Sequence, residues 1–98
     1  MIQVQIICKE HENLKKLVRA SIQGGTIKAF LIKKIQGGLQ IQHRKYLGVI
    51  TINQIENALI AVLRCNNKTK EWQLLESFVG RLSYHFQEKI ASINIQFE

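Results

Sequence analysis

The chain contains no proline and no aspartate, and only two cysteines and one tryptophan among 98 residues. Its apolar runs all fall short of the roughly 20 residues that a membrane-spanning helix requires. Without proline no periodic stretch is interrupted, and no linker composition divides the chain, so residues 1–98 read as a single domain. Cys8 and Cys65 are too few for a disulfide scaffold and fit a reducing, cytoplasmic setting. No signal-peptide pattern follows Met1. The tetrapeptide Ile-Gln-Gly-Gly occurs at 22–25 and again at 35–38, but neither copy opens a helix after a strand as a phosphate loop does. Both copies read as turns.

Negative charge is also scarce: 14 Lys and Arg face seven acidic residues, giving a formal charge of +7. Residues 1–49 carry nine Lys/Arg against two Glu, whereas residues 50–98 carry five of each, so the whole excess lies in the first half. A basic half of this kind can meet nucleic acid, anionic lipid or an acidic protein surface, or simply keep the chain soluble.

What is present is periodicity. Ile2, Val4 and Ile6 alternate with Gln3 and Gln5, a half-buried strand ending near Cys8. Leu14, Leu17, Val18 and Ile22 recur at helical spacing, and Gly24-Gly25 can end that helix. Residues 27–35 read as a second strand; Gly37-Gly38 is a turn signal and Leu39, Ile41 and His43 resume alternation, so 26–45 is expected to be a hairpin.

Residues 51–65 fit two patterns. Ile52, Ile55, Leu59 and Val62 match a helix that Thr51 and Gln54 would start as a capping box, while 58–65 is an apolar stretch of strand length ending in Asn66-Asn67. Strand–helix–strand order favours a strand over 57–65. After Lys68-Thr69-Lys70 a long helix is expected, capped by Thr69, with Trp72, Leu75, Phe78, Val79, Leu82 and Phe86 as its apolar stripe and Glu71 largely off it. Trp72 reads as a packing anchor. Ile93, Ile95 and Phe97 form the closing strand.

Chemistry-bearing clusters are few. Cys8 and His11 are spaced for two ligands to a soft metal or for a thiolate–imidazole couple, but no second ligand pair and no orienting third group accompanies them. In a βαββαβ sheet the first and third strands are antiparallel neighbours, which puts Cys8 and Cys65 at opposite ends, on the order of 20 Å apart, as two free thiols. Glu10 and Glu12 suit a helix start better than acid–base work. No enzyme activity, no metal and no cofactor is expected. An RNA-binding sheet would present stacking aromatics, yet the basic half offers only Phe30 and Tyr46.

The opening strand ending in Cys8 with its Leu14-Leu17-Val18 helix resembles the C-terminal cytoplasmic domain of MgtC/SapB-type membrane proteins. The closing stretch, Leu75-Glu76, Val79, Arg81-Leu82-Ser83, Ile90, Ile93 and Phe97, is similar to that domain's last helix and strand. The resemblance implies a two-layer α+β, ferredoxin-like and ACT-like βαββαβ sandwich, with an extra strand or hairpin accommodated at 37–56. It implies an excised domain or a stand-alone relative. The junction 9–13 lacks the glycine of amino-acid-binding ACT loops, so such binding is not carried over.

The resulting expectation is a non-catalytic regulatory or interaction module that associates with itself as a homo-oligomer, at the cytosolic face of a membrane protein or against anionic lipid. The alternative is a basic nucleic-acid-binding domain that contacts phosphates. Lys15, Lys16, Arg19, Lys33 and Lys34 are the expected anion or partner contacts.

Overall fold

The structure, a computed structural model, describes residues 1–36 and 38–98. Eight elements follow in the order β1 (Ile2–Cys8), α1 (Leu14–Gln23), β2 (Phe30–Lys34), β3 (Leu39–His43), β4 (Val49–Ile55), β5 (Ala58–Arg64), α2 (Lys68–Phe86) and β6 (Ile90–Phe97). The strands form one six-stranded sheet, antiparallel throughout, in the order β2-β3-β4-β5-β1-β6. Both helices pack on one face, making a two-layer α+β domain. No helix among the described residues is long and apolar enough to cross a membrane.

The alternation in β1 does what a period of two dictates: Ile2, Val4, Ile6 and Cys8 are buried under the helices, and Gln3 and Gln5 turn to the open face. Leu39, Ile41, Ile50, Ile52, Leu59, Ala61 and Leu63 extend this buried layer across β3, β4 and β5. From the helix side Leu14, Val18, Leu74, Phe78 and Leu82 close it, with Phe78 meeting Phe30 edge-on at 6.2 Å. Each such side chain contributes roughly 1.5–3 kcal/mol on burial.

The ambiguous middle is two strands. β4 and β5 are a hairpin turning at Glu56-Asn57, where Glu56 takes a left-handed φ of 54°. The strand expected over 57–65 is β5, and it pairs with β1 as anticipated, in the register Ile2↔Leu63 to Ile7↔Ala58. The helical spacing of Ile52, Ile55, Leu59 and Val62 was coincidental: the turn at 56–57 resets the alternation, so Ile52 and Leu59 face the core while Ile55 is exposed. Gln54 does cap a helix, but not one beginning at Thr51. Its Oε1 accepts from the Lys15 amide at 3.1 Å and its Nε2 donates to the carbonyls of Glu12 and Glu56, so β4 helps to start α1.

The hairpin expected over 26–45 is present as β2 and β3, although β2 begins only at Phe30; Ile27 is buried ahead of it. The turn expected at Gly37-Gly38 involves Gly37, which lies outside the described residues.

Two expectations about α2 are corrected. Its cap is Asn67, whose Oδ1 accepts from the Lys70 amide at 3.1 Å, rather than Thr69. Its buried stripe is Glu71, Leu74, Leu75, Phe78, Leu82 and Phe86, centred one residue away from the expected line. Glu71 is therefore inside, 7% exposed, accepting from the Cys65 amide at 3.2 Å and lying 3.4 Å from the Met1 amino group. Trp72, read as a packing anchor, is outside.

Candidate interaction surfaces

A sheet of six strands has two edges, and here they are built differently. β2 is five residues long and carries a bulge between Ile32 and Lys34; Lys33 and Lys34 are exposed there. Short length, a bulge and lysines are the usual means by which an edge strand is kept from pairing. β6 has eight residues, Ile-Ala-Ser-Ile-Asn-Ile-Gln-Phe, with no charged side chain; its register with β1 shifts once, at Ala91, and is unbroken from Ser92 to Phe97. The Glu98 amide donates to the Met1 carbonyl at 3.1 Å. Main-chain groups alternate in direction along an antiparallel strand. Ser92, Asn94 and Gln96 therefore face β1, and Ile93, Ile95 and Phe97 turn their N–H and C=O groups to the free edge.

The side chains at that edge are only partly covered. Ile93 and Ile95 are half-buried on the core side, although Val4 and Ile6 opposite them on β1 are fully buried. Beside them Trp72 (51% exposed) and Phe97 (54% exposed) stack on each other at 5.1 Å and 26°. Two large rings thus stand in solvent next to an unprotected strand.

The open face of the sheet carries amides toward β1 and β6 and half-buried Ile60 and Val62 on β5. Gln3, Gln5, Asn94 and Gln96 line one shallow hollow, and Gln40 donates to Thr51 across β3 and β4 at 3.3 Å. No aromatic ring is added from the basic half: Phe30 is in the core, and Tyr46 belongs to the helix side.

The helix side holds an open cleft of about 850 Å³ between α2 and the segments 26–29 and 43–46. Lys28, Arg44, Lys45 and Arg81 line it together with Tyr46 and Tyr84; Glu76 is its one carboxylate. Arg44 Nε donates to the Lys28 carbonyl at 2.6 Å and its amide to the Ala29 carbonyl at 2.9 Å. His43 Nδ1 accepts from the amides of Lys45 (2.9 Å) and Tyr46 (3.3 Å), so the ring is neutral with its proton on Nε2. Burial holds its pKa below the ordinary imidazole value, and Arg81 and Lys45 lower it further. Among the described residues the ion pairs are Met1–Glu71 and Lys89–Glu12, so none of the four cleft cations is within 4.0 Å of a carboxylate.

Two glycines set each other off. Gly48 has φ +111°, and a Cβ there would lie 2.7 Å from the Arg64 carbonyl, so the fold requires it. Gly80 is in the middle of α2 on the cleft wall, and a Cβ there would meet nothing within 4 Å. It costs the helix about 1 kcal/mol relative to alanine, and packing gives no reason for it.

The five expected contact residues come from two elements, α1 and β2. Lys15, Lys16 and Arg19 lie on α1 in the helix layer; Lys33 lines a hollow with Gln42, Val49 and Arg64 toward the opposite face, and Lys34 follows it on the β2 edge. The cleft residues Lys28, Arg44, Lys45 and Arg81 come together only through the fold, from three segments. The available sequence signal was the spacing of Ser77, Gly80, Arg81 and Tyr84 along one face of α2.

Cys8 and His11 do not form a couple. The Cys8 thiol is buried in the core, which pushes its pKa up; Glu12 adds to the rise and Lys89 opposes it, so it stays protonated, and His11 is exposed. Cys8 and Cys65 stand at opposite ends of the β1–β5 pair. Among the described residues no three His, Cys, Asp or Glu side chains gather into a metal-binding group. Comparison with known proteins finds no matching family model, no matching curated protein and no matching solved structure.

Proposed function

We propose that the domain is a non-catalytic, self-associating module that pairs with a second copy through β6. The observation that carries this is the asymmetry of the edges: β2 is short and doubly charged with its bulge inside the strand, whereas β6 is longer, uncharged and in unbroken register from Ser92 to Phe97, its own irregularity confined to Ala91 near its start. Antiparallel pairing of two β6 strands about a two-fold axis would satisfy the outward N–H and C=O groups of Ile93, Ile95 and Phe97 on both copies, and the same patch serves both partners. It would also cover the half-buried Ile93 and Ile95. The formal excess of positive charge belongs to residues 1–49, so β6 comes from the neutral half and meets its copy with little repulsion.

The architecture fits a regulatory module of ferredoxin-like, ACT-like type. β1-α1-β4 and β5-α2-β6 are each a split βαβ unit with one strand of the other unit between their strands, giving the order β6-β1-β5-β4; the β2–β3 hairpin extends this sheet beyond β4. On this reading the inserted hairpin, at 30–43 rather than the 37–56 expected, is the departure from the MgtC/SapB-type cytoplasmic domain that the chain resembles. The cytosolic face of a membrane is the setting that the resemblance implies.

Light scattering at micromolar concentration tests the pairing. The expected mass is twice 11.3 kDa and independent of salt. Asn94→Lys combined with Gln96→Lys puts charges on exposed side chains of the edge and is expected to give a monomer with unchanged circular dichroism. A native protein that remains monomeric at 100-fold higher concentration would sink the proposal.

A further inference from the structure

The geometry points to the cleft between α2 and segments 26–29 and 43–46 as a binding site for a nucleoside polyphosphate. This goes beyond the pairing reading and does not rest on it.

Three observations converge. First, Lys28, Arg44, Lys45 and Arg81 face one cleft with no carboxylate in pairing range, and a single Glu76 is the only acidic side chain of its lining. Four cations gathered from separate segments without counter-charges disfavour the empty state by mutual repulsion and favour a compact polyanion. Arg44 is already oriented, because its Nε is spent on the Lys28 carbonyl and its two terminal amino groups are left for an anion.

Second, rings accompany the charges. Tyr84 is 76% exposed, and among the described residues its one aromatic neighbour is the adjacent His85. Tyr46 is stacked on His43 at 4.4 Å and 27°, which holds its ring in place at the cleft wall. A nucleobase stacks on such a ring, and the Glu76 carboxylate accepts hydrogen bonds only, which suits the amino or imino N–H of a base. Bare phosphate would use the cations and leave the rings idle.

Third, Gly80 opens the wall. An alanine would fit the fold and suit the helix better, so the missing methyl group is explained by something that approaches the α2 backbone at that turn. A cleft of about 850 Å³ is large enough for a nucleoside triphosphate. A nucleic-acid strand is the less suitable occupant. Among the described residues no other Lys or Arg lines the cleft, so its charge is a compact cluster rather than a track for a backbone.

Isothermal titration of the full chain with ATP tests this, with inorganic tripolyphosphate, adenosine and a single-stranded 12-nucleotide DNA as separate arms. Saturable one-to-one binding of ATP is expected, with tripolyphosphate at least tenfold weaker and adenosine weaker still. Lys28→Gln and Arg81→Gln should each weaken ATP roughly tenfold. Gly80→Ala is the discriminating variant: its melting temperature should rise while its ATP affinity falls, a combination that damage to the fold cannot produce. The Asn94→Lys/Gln96→Lys protein should bind ATP like the native chain, which separates this site from the pairing edge. Four results would each overturn the inference. They are no saturable heat up to millimolar ATP, tripolyphosphate binding as tightly as ATP, the oligonucleotide binding where ATP does not, and Gly80→Ala binding unchanged.

Discussion

At one edge of the sheet β2 is only five residues long, with a bulge inside it and two adjacent lysines; at the other, β6 runs eight residues with no charge at all and a single irregularity at Ala91. The two edges face the same difficulty, a row of main-chain donors and acceptors without partners, and meet it in opposite ways. The contrast follows the chain's charge: β2 belongs to the basic half and β6 to the neutral half. Charge in this protein therefore does local work. Where it is dense it defends an edge or lines a cleft, and where it is absent an edge is left free to pair.

The comparison is broken most severely by removing the defence of β2. Lys33→Thr combined with Lys34→Thr leaves a second edge without charge, and pairing at both ends of one sheet cannot close on itself. Sedimentation of this variant is expected to show species beyond the dimer that grow with concentration. A persistent dimer would mean that the bulge at Ile32–Lys34 alone blocks pairing.

A polar group near each edge offers a smaller test. Near β6, Glu71 accepts from the Cys65 amide and lies against the Met1 amino group. Glu71→Ala leaves both without that partner and is expected to lower stability by about 2 kcal/mol, or the melting temperature by roughly 10 °C. A fall of under about 2 °C would show that water satisfies both groups already.

Near β2 the counterpart is His43, and the effect is smaller and depends on pH. Burial, Arg81 and Lys45 hold its folded pKa below the ordinary value of about 6.5. The unfolded chain therefore takes up the proton first as pH falls. Stability from the neutral ring is complete above about pH 6.5 and declines as pH falls toward the folded value. Urea unfolding at a series of pH values should show this decline in the native protein and a shallower one in His43→Asn, which keeps an acceptor oxygen but does not titrate. Equal slopes would exonerate His43.

The ends of the fold were legible in the sequence. Strict alternation in β1 and β6 and a continuous apolar stripe in α2 are strong signals, because one face of each element turns to the core layer and the other to solvent. The middle was not. In 49–64 two strands joined by a two-residue turn carry apolar residues on both faces, since Ile60 and Val62 sit half-buried on the open side, and that mixture imitates a helix. Trp72 misled for a different reason. Size alone marks a ring as core, but Glu71 took the buried position beside it because the Cys65 amide needed an acceptor there. The cleft could not be read at all. Its four cations are spread over 54 positions, from Lys28 to Arg81, and only the packing of α2 against the hairpin brings them together.

The bonds made by Gln54 bear on the order in which the parts assemble. α1 is ten residues long, too short to persist by itself in water. One of its first amides is satisfied by a side chain 39 positions further along, and the loop before it is held by the same residue at a separation of 42. Closing loops of that length takes chain entropy that α1 cannot supply on its own. The first helix in the sequence has a local cap, Asn13, which accepts from the Lys16 amide at 3.0 Å, and gains a second acceptor only when the β4–β5 hairpin is in place.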